Sequence, residues 1–273
     1  MKIKILSPFW GHEHLEVGQF LQQIQKAGYD GIETWLPADS KDQRILLDFV
    51  EQHNFCLVVH QHEASGNTFK DFKASFITNL YKCAEIRPLL INSHTGRDYF
   101  TNKQLLELVD SAAEFSDRTG ILVTHETHRG RMGYSPQMME VLFELNKVFQ
   151  ITADFSHWVC VTESMLENFS GVLNQAISRC KHIHARVGFE EGPQISDPRA
   201  PEWDYALQNF LGWWDEIVAV NDLNQTQILP ITTEFGPPPY MPLIPFTKKP
   251  VADQFEVNCF MKDLLKARYQ AYF

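Results

Sequence analysis

The chain has few cysteines and does not pair them by spacing: Cys56, Cys83, Cys160, Cys180 and Cys259 form an odd set without a CxxC motif. That excludes a disulfide framework or a zinc ribbon as the organising principle, and the five read as reduced core residues. Long apolar runs are missing as well. No segment approaches the roughly 18 apolar residues of a membrane span, and the run within MKIKILSPFWGHEH is too short for a secretory leader. No membrane association is expected, and a cytoplasmic location follows by default. Positive charge is the third shortage, with 24 Lys and Arg against 34 Asp and Glu and a formal charge of −10. Such a balance repels polyanions, so nucleic acid is not the expected partner. Linker-like composition and low-complexity tracts are also missing, and the 44% hydrophobic and 21% charged shares are those of an ordinary globular chain.

Against these absences stands one repeated pattern. Short aliphatic or β-branched runs occur at Lys2–Leu6, Gly31–Trp35, Cys56–His60, Leu89–Ser93, Ile121–Glu126, Gln150–Asp154, His182–Arg186 and Ile228–Glu234. Amphipathic stretches separate them: Val17, Phe20, Leu21 and Ile24, then Leu105, Leu108, Val109 and Ala112, then Met138, Val141, Leu142 and Leu145, each with helical spacing. Helix starts are marked by the capping box Thr101 to Gln104 and by Ser135-Pro136, and Gly28 and Gly120 punctuate the returns to strand. Strand ends recur mostly about 26 to 34 residues apart, close to one βα unit. The spacing predicts one (β/α)8 TIM barrel over residues 1–273. The exception is the longer stretch after His184, where the Gly- and Pro-bearing segment Gly188–Glu202 is expected to be a lid or binding loop and Tyr205–Asn221 a helix.

Acids and histidines terminate these strands: Glu33, His60, His94, Glu126, Asp154, His184 and Glu234. In a parallel barrel the strand ends converge on one rim, where the catalytic groups of this fold sit. Several carboxylates gathered there without a cation would repel one another or take up protons, so the set asks for a divalent metal. Mostly oxygen donors with one imidazole suit Mn²⁺ first, with Mg²⁺, Co²⁺ or Zn²⁺ as other occupants.

The segments LVTHETHRGR (122–131), TADFSHW (152–158), HIHARVG (182–188) and TTEFG (232–236) resemble the fifth to eighth strand ends of the xylose isomerase-like barrels, the sugar phosphate isomerase/epimerase superfamily. The resemblance implies metal ligands at Glu126, Asp154, His184 and Glu234. His184 is chosen over His182 because the second histidine of the HxH is the family's ligand; strand alternation points both the same way and does not separate them. It further implies substrate contacts from His157, in an Asp-x-x-His with Asp154, and from His60 and His94. Where the ketose 3-epimerases place an arginine six residues after the second histidine this chain has Glu190, and Arg186 is the candidate for a substrate anion.

The implied activity is isomerisation or epimerisation of a small sugar-like substrate. Glu126 or Glu234 removes the proton alpha to a carbonyl, and the metal stabilises the resulting enediolate. A lyase or dehydratase shares these first steps. A phosphodiesterase like the AP endonuclease of the same superfamily would use much of the same histidine and acid order with three zinc ions, but its later Asp-x-His has no counterpart in the loop after His184, where Asp197-Pro198-Arg199 is the nearest string. A barrel that only binds sugar would be marked by a lost ligand, and all four are present. Trp10, Trp35 and Trp158 are candidates for an apolar wall, and His12 and His14 are read as loop residues.

Overall fold

In a computed structural model describing residues 1–273, eight parallel strands close into a barrel in simple chain order: β1 (Lys2–Pro8), β2 (Gly31–Thr34), β3 (Cys56–Gln61), β4 (Leu90–Ser93), β5 (Leu122–Glu126), β6 (Gln150–Ala153), β7 (Cys180–His184) and β8 (Ile228–Thr232). All eight expected strands are present. Their outer faces carry the helices α1 (Val17–Lys26), α2 (Ser40–His53), α3 (Phe69–Ala84), α4 (Asn102–Thr119), α5 (Pro136–Leu145), α6 (Phe155–Thr162), α7 (Ser170–Arg179) and α8 (Asp204–Leu223). A small hairpin of β9 (Leu243–Ile244) and β10 (Lys249–Pro250) follows β8, and α9 (Gln254–Arg268) ends the fold. No helix is long and apolar enough to cross a membrane.

Local signals explain the helix boundaries. Thr101 and Gln104 form the reciprocal capping box at the start of α4, and Ser135 caps α5 ahead of Pro136. Gly120 ends α4 with a φ of 73°, a left-handed conformation that glycine adopts without penalty. The main core lies between the barrel and the helices, where Phe20, Phe76, Phe115 and Trp214 are fully buried. All five cysteines are free; Cys83 and Cys180 are buried, whereas Cys56, Cys160 and Cys259 are only half-buried, short of the core positions expected of them.

The barrel interior is layered, because residues two apart on a strand face the same way. Leu6, Val58 and Leu90 form an apolar floor. Above it lies a polar layer: Thr124 and Thr152 hydroxyls are 2.7 Å apart, and His182 Nε2 is 2.9 Å from Thr232 Oγ1. Two residues further along these strands come Glu126, Asp154, His184 and Glu234. The site therefore rests on a hydrogen-bonded, fully buried support.

Candidate active site

All four expected ligands sit at or just beyond strand ends. Glu126 closes β5 and His184 closes β7, whereas Glu234 lies two residues past β8. Asp154 is not a strand residue, contrary to the expected extent of the sixth strand. It is the N-cap of α6, and its Oδ1 accepts from the Ser156 backbone N–H at 3.1 Å and the Ser156 hydroxyl at 2.5 Å. The cap removes the side chain's rotational freedom and aims it inward.

One ligand atom from each of Glu126, Asp154, His184 and Glu234 falls within 4.8 Å of the other three. His184 Nδ1 lies 2.8 Å from Glu234 Oε2, yet neither atom has a hydrogen-bond partner, although both are buried. The two are in ion-pair contact without a formed hydrogen bond, and with Glu126 and Asp154 beside them a divalent cation that displaced the imidazole proton would find four donors in reach. The donor set of three carboxylates and one imidazole fits a divalent ion.

Glu33, which the resemblance leaves without a role, is part of the same cluster. Its two oxygens lie 3.0 and 3.1 Å from His184 Nε2, and Asn92 Nδ2 donates to Glu33 at 3.1 Å and to Glu126 at 2.8 Å. A carboxylate on Nε2 fixes the ring and leaves Nδ1 to face the other ligands. The two histidines are placed differently, although both reach Glu33, His182 at 3.4 Å. His182 has its nitrogens 2.9 Å from Thr232 and 3.3 Å from Thr152, a layer lower.

Electrostatics follow from burial and from four neighbouring carboxylates. Burial opposes protonation of His184, but Glu234, Glu33 and Glu126 outweigh it and hold the ring well above the usual histidine range. Burial also drives Glu234 up to about 7, against the pull of His184 and Arg186. It raises Asp154 too, against Arg186. Glu33 and Glu126 stay low because neighbouring histidines overcome the burial. His60, His94, His128 and His157 are pushed well below their ordinary value by burial, so they are neutral and keep a lone pair. His60 and His94 approach Glu126 Oε2 at 3.7 and 3.2 Å, a second group of donors beside the first.

Arg186 lies two residues beyond β7 and is 1% exposed. Its guanidinium donates to Asp154 Oδ2, to Ser156 Oγ at 3.2 Å and toward His157 Nε2 at 2.8 Å, and it stands 3.5 Å from Glu234 Oε2. A ring of Tyr240 lies 4.8 Å from it and Trp10 5.9 Å. Arg186 thus partly neutralises the cluster while still reaching the cavity.

That cavity, of about 270 Å³, opens over the cluster and is lined by Glu126, Glu234, Arg186, His60, His94 and His128, with Trp10, Trp35, Arg131 and Tyr240 around the mouth. Asp154 and His184 lie beneath it. His157 is fully buried behind Arg186 and does not line the cavity, contrary to the contact expected of it. Trp158 is likewise buried, its indole N–H bonded to the Gly133 carbonyl at 2.8 Å, so it is no part of the wall. Trp10, Tyr240 and Arg131 come from loops, and sequence spacing gave no signal for Tyr240.

The segment 188–202 is also not the free lid expected. The Ile195 N–H donates to Val187 O at 2.9 Å, and the Gln194 side chain clasps Gly236 through two bonds of 2.7 and 3.2 Å. None of its residues lines the cavity. It braces the loop that carries Glu234.

No protein-family model and no curated protein sequence matches the chain. Solved structures do. The apo 3-keto-D-glucoside 4-epimerase YcjR from E. coli superposes with a TM-score of 0.65 at 12% identity, covering 97% of this chain and 100% of that one. The probable 3-DHS dehydratase AsbF, involved in petrobactin synthesis in Bacillus anthracis, superposes with a TM-score of 0.62 at 15% identity, covering 97% and 99%. This chain shares the (β/α)8-barrel fold of both structures.

Proposed function

We propose that the protein is a divalent-metal-dependent isomerase or epimerase acting on a small sugar-like substrate. The observation that carries this is the convergence of Glu126, Asp154, His184 and Glu234, one ligand atom from each within 4.8 Å of the others, beneath a cavity on which both glutamates open. Glu126, Asp154, His184 and Glu234 would hold the metal, Mn²⁺ first among the candidates. When bound, the ion supplies positive charge to a substrate oxygen next to the carbon that loses its proton.

The chain's own groups do the rest. Glu126 or Glu234 would take the proton alpha to the carbonyl, and the other would return one. Glu33 fixes the His184 ring, and Asn92 holds Glu126 and Glu33 apart as a shared donor. His60 and His94, neutral and on the cavity wall, offer hydrogen bonds to substrate hydroxyls. Arg186 supplies fixed positive charge at the Glu234 side of the cavity. A dehydratase would use the same proton abstraction and then expel a β-hydroxyl, and the AsbF-like fold keeps that reading beside the first.

The test is solvent-deuterium exchange over a panel of ketoses and keto-sugars, with and without added Mn²⁺, with product analysis. Metal-dependent deuterium in recovered substrate supports the reading, and loss of a hydroxyl from the product selects the dehydratase. A fully metal-loaded protein that exchanges no carbon-bound proton on any of them removes it.

A further inference from the structure

The cavity over the cluster has a neighbour beyond Trp35. Trp35, His60 and His62 are shared with a second cavity of about 380 Å³, which runs outward between α2 and α3 past Gln43 and Asn79. The inner cavity alone, at about 270 Å³, falls short of the roughly 300 Å³ at which small-molecule pockets begin. Joined to the outer one it falls well within that range.

From this adjacency we infer a second subsite, which takes a neutral, hydroxyl-rich ring attached to the reacting sugar. The substrate would then be a glycoside or disaccharide derivative rather than a free monosaccharide. Three observations select that chemistry. Trp35 offers an aromatic surface at the junction, steadied by Phe9 at 5.6 Å and His62 at 5.8 Å between ring centroids. Carbohydrate rings present an apolar C–H face to such a surface. Gln61 is 2% exposed, and its Oε1 is fixed by accepting from Ser93 Oγ at 2.9 Å, while its Nε2 has no partner. Gln61 belongs to the lining of the outer cavity, and its unpaired buried amide N–H pair is a costly feature that a small shift of the side chain toward a sugar hydroxyl would relieve. Lastly, Glu63 and Glu85 outnumber Lys82 along the outer wall, which disfavours a phosphate there.

The inference rests on the sugar reading of the inner cavity, so its test measures binding and not turnover. Glucose and methyl glucoside are compared with maltose and cellobiose by NMR titration of the full chain loaded with Mg²⁺. At least one disaccharide should bind about tenfold more tightly than its monosaccharide. Lys82→Trp, at an exposed position, and Asn79→Phe should each fill the outer cavity. They should erase that preference while leaving monosaccharide binding within about twofold. No disaccharide preference in the wild type, or one that survives in both folded variants, overturns the subsite. If the preference is found but no substrate exchanges deuterium, the subsite stands and the isomerase reading falls; the reverse result separates them the other way.

Discussion

The Arg186 guanidinium is bonded to Asp154 Oδ2, an oxygen of the carboxylate that the proposed metal site also needs. A carboxylate offers about four lone-pair directions, so one oxygen can serve both cations. The pairing gives the cluster a resident positive charge. Arg186→Met should therefore weaken the metal-free protein by about 3–5 kcal/mol, the cost of breaking a buried ion pair. Added Mn²⁺ should raise the melting temperature of this variant by more than it raises that of the wild type. Thermal melts with and without metal check this, and an equal shift in both proteins contradicts it.

Metal content is the next expectation. One divalent ion per chain should be retained by the wild type, and Asp154→Asn should lower affinity markedly, by roughly 10- to 100-fold. Elemental analysis after dialysis decides. Three tightly held zinc ions would instead favour the phosphodiesterase, since His60, His94, His128 and His157 form further donor groups with Glu126.

Gly236 follows the Glu234 loop at a place where a side chain has no room: a Cβ there would lie 2.2 Å from Trp10 Cη2. Gly236→Ala should push Trp10 out of the cavity wall and raise KM by about tenfold, with metal content unchanged. A KM like that of the wild type would show that Trp10 does not shape the binding site.

His12 lies away from the metal cluster, stacked on Phe20 at 4.8 Å and edge-on to Phe255 at 5.7 Å. Burial, with His14 adding to it, lowers its proton affinity in the folded chain. The unfolded chain then binds more protons below about pH 6.5, so this contribution to stability is present above that pH and lost as pH falls toward the folded value. His12→Phe should keep the fold and reduce the loss of stability between about pH 7 and pH 5.5. Denaturant unfolding at the two pH values measures it, and an unchanged loss would assign the acid sensitivity elsewhere.

Much of the barrel was legible because its interior repeats every two residues. Thr124 and Glu126, Thr152 and Asp154, His182 and His184, and Thr232 and Glu234 each place a support and a candidate ligand on one face, and the strand pattern carries that directly. What escaped depended on contacts between distant parts of the chain. Asp154 reads as the end of an apolar run, but its hydrogen bonds to Ser156 make it a helix cap. Glu33 stood at a strand end without a role until folding brought it to His184 Nε2. The segment 188–202 has the composition of a lid, and only the Gln194 clasp on Gly236 shows it to be a brace. Tyr240 reaches the cavity from a loop whose path no local pattern specifies.

In the proposed reaction Glu126 and Glu234 exchange a substrate proton beside a metal they both help to hold. Both carboxylates neighbour the same atom, His184 Nδ1, at 3.8 and 2.8 Å, and both open on the cavity. The direct measurement follows product and solvent deuterium in recovered substrate for Glu126→Gln and Glu234→Gln at saturating Mn²⁺, with metal occupancy determined on the same samples. The account predicts folded, metal-loaded variants that each lose turnover by at least about 10²-fold. Variants that carry the metal, turn over and exchange deuterium as the wild type does would contradict it.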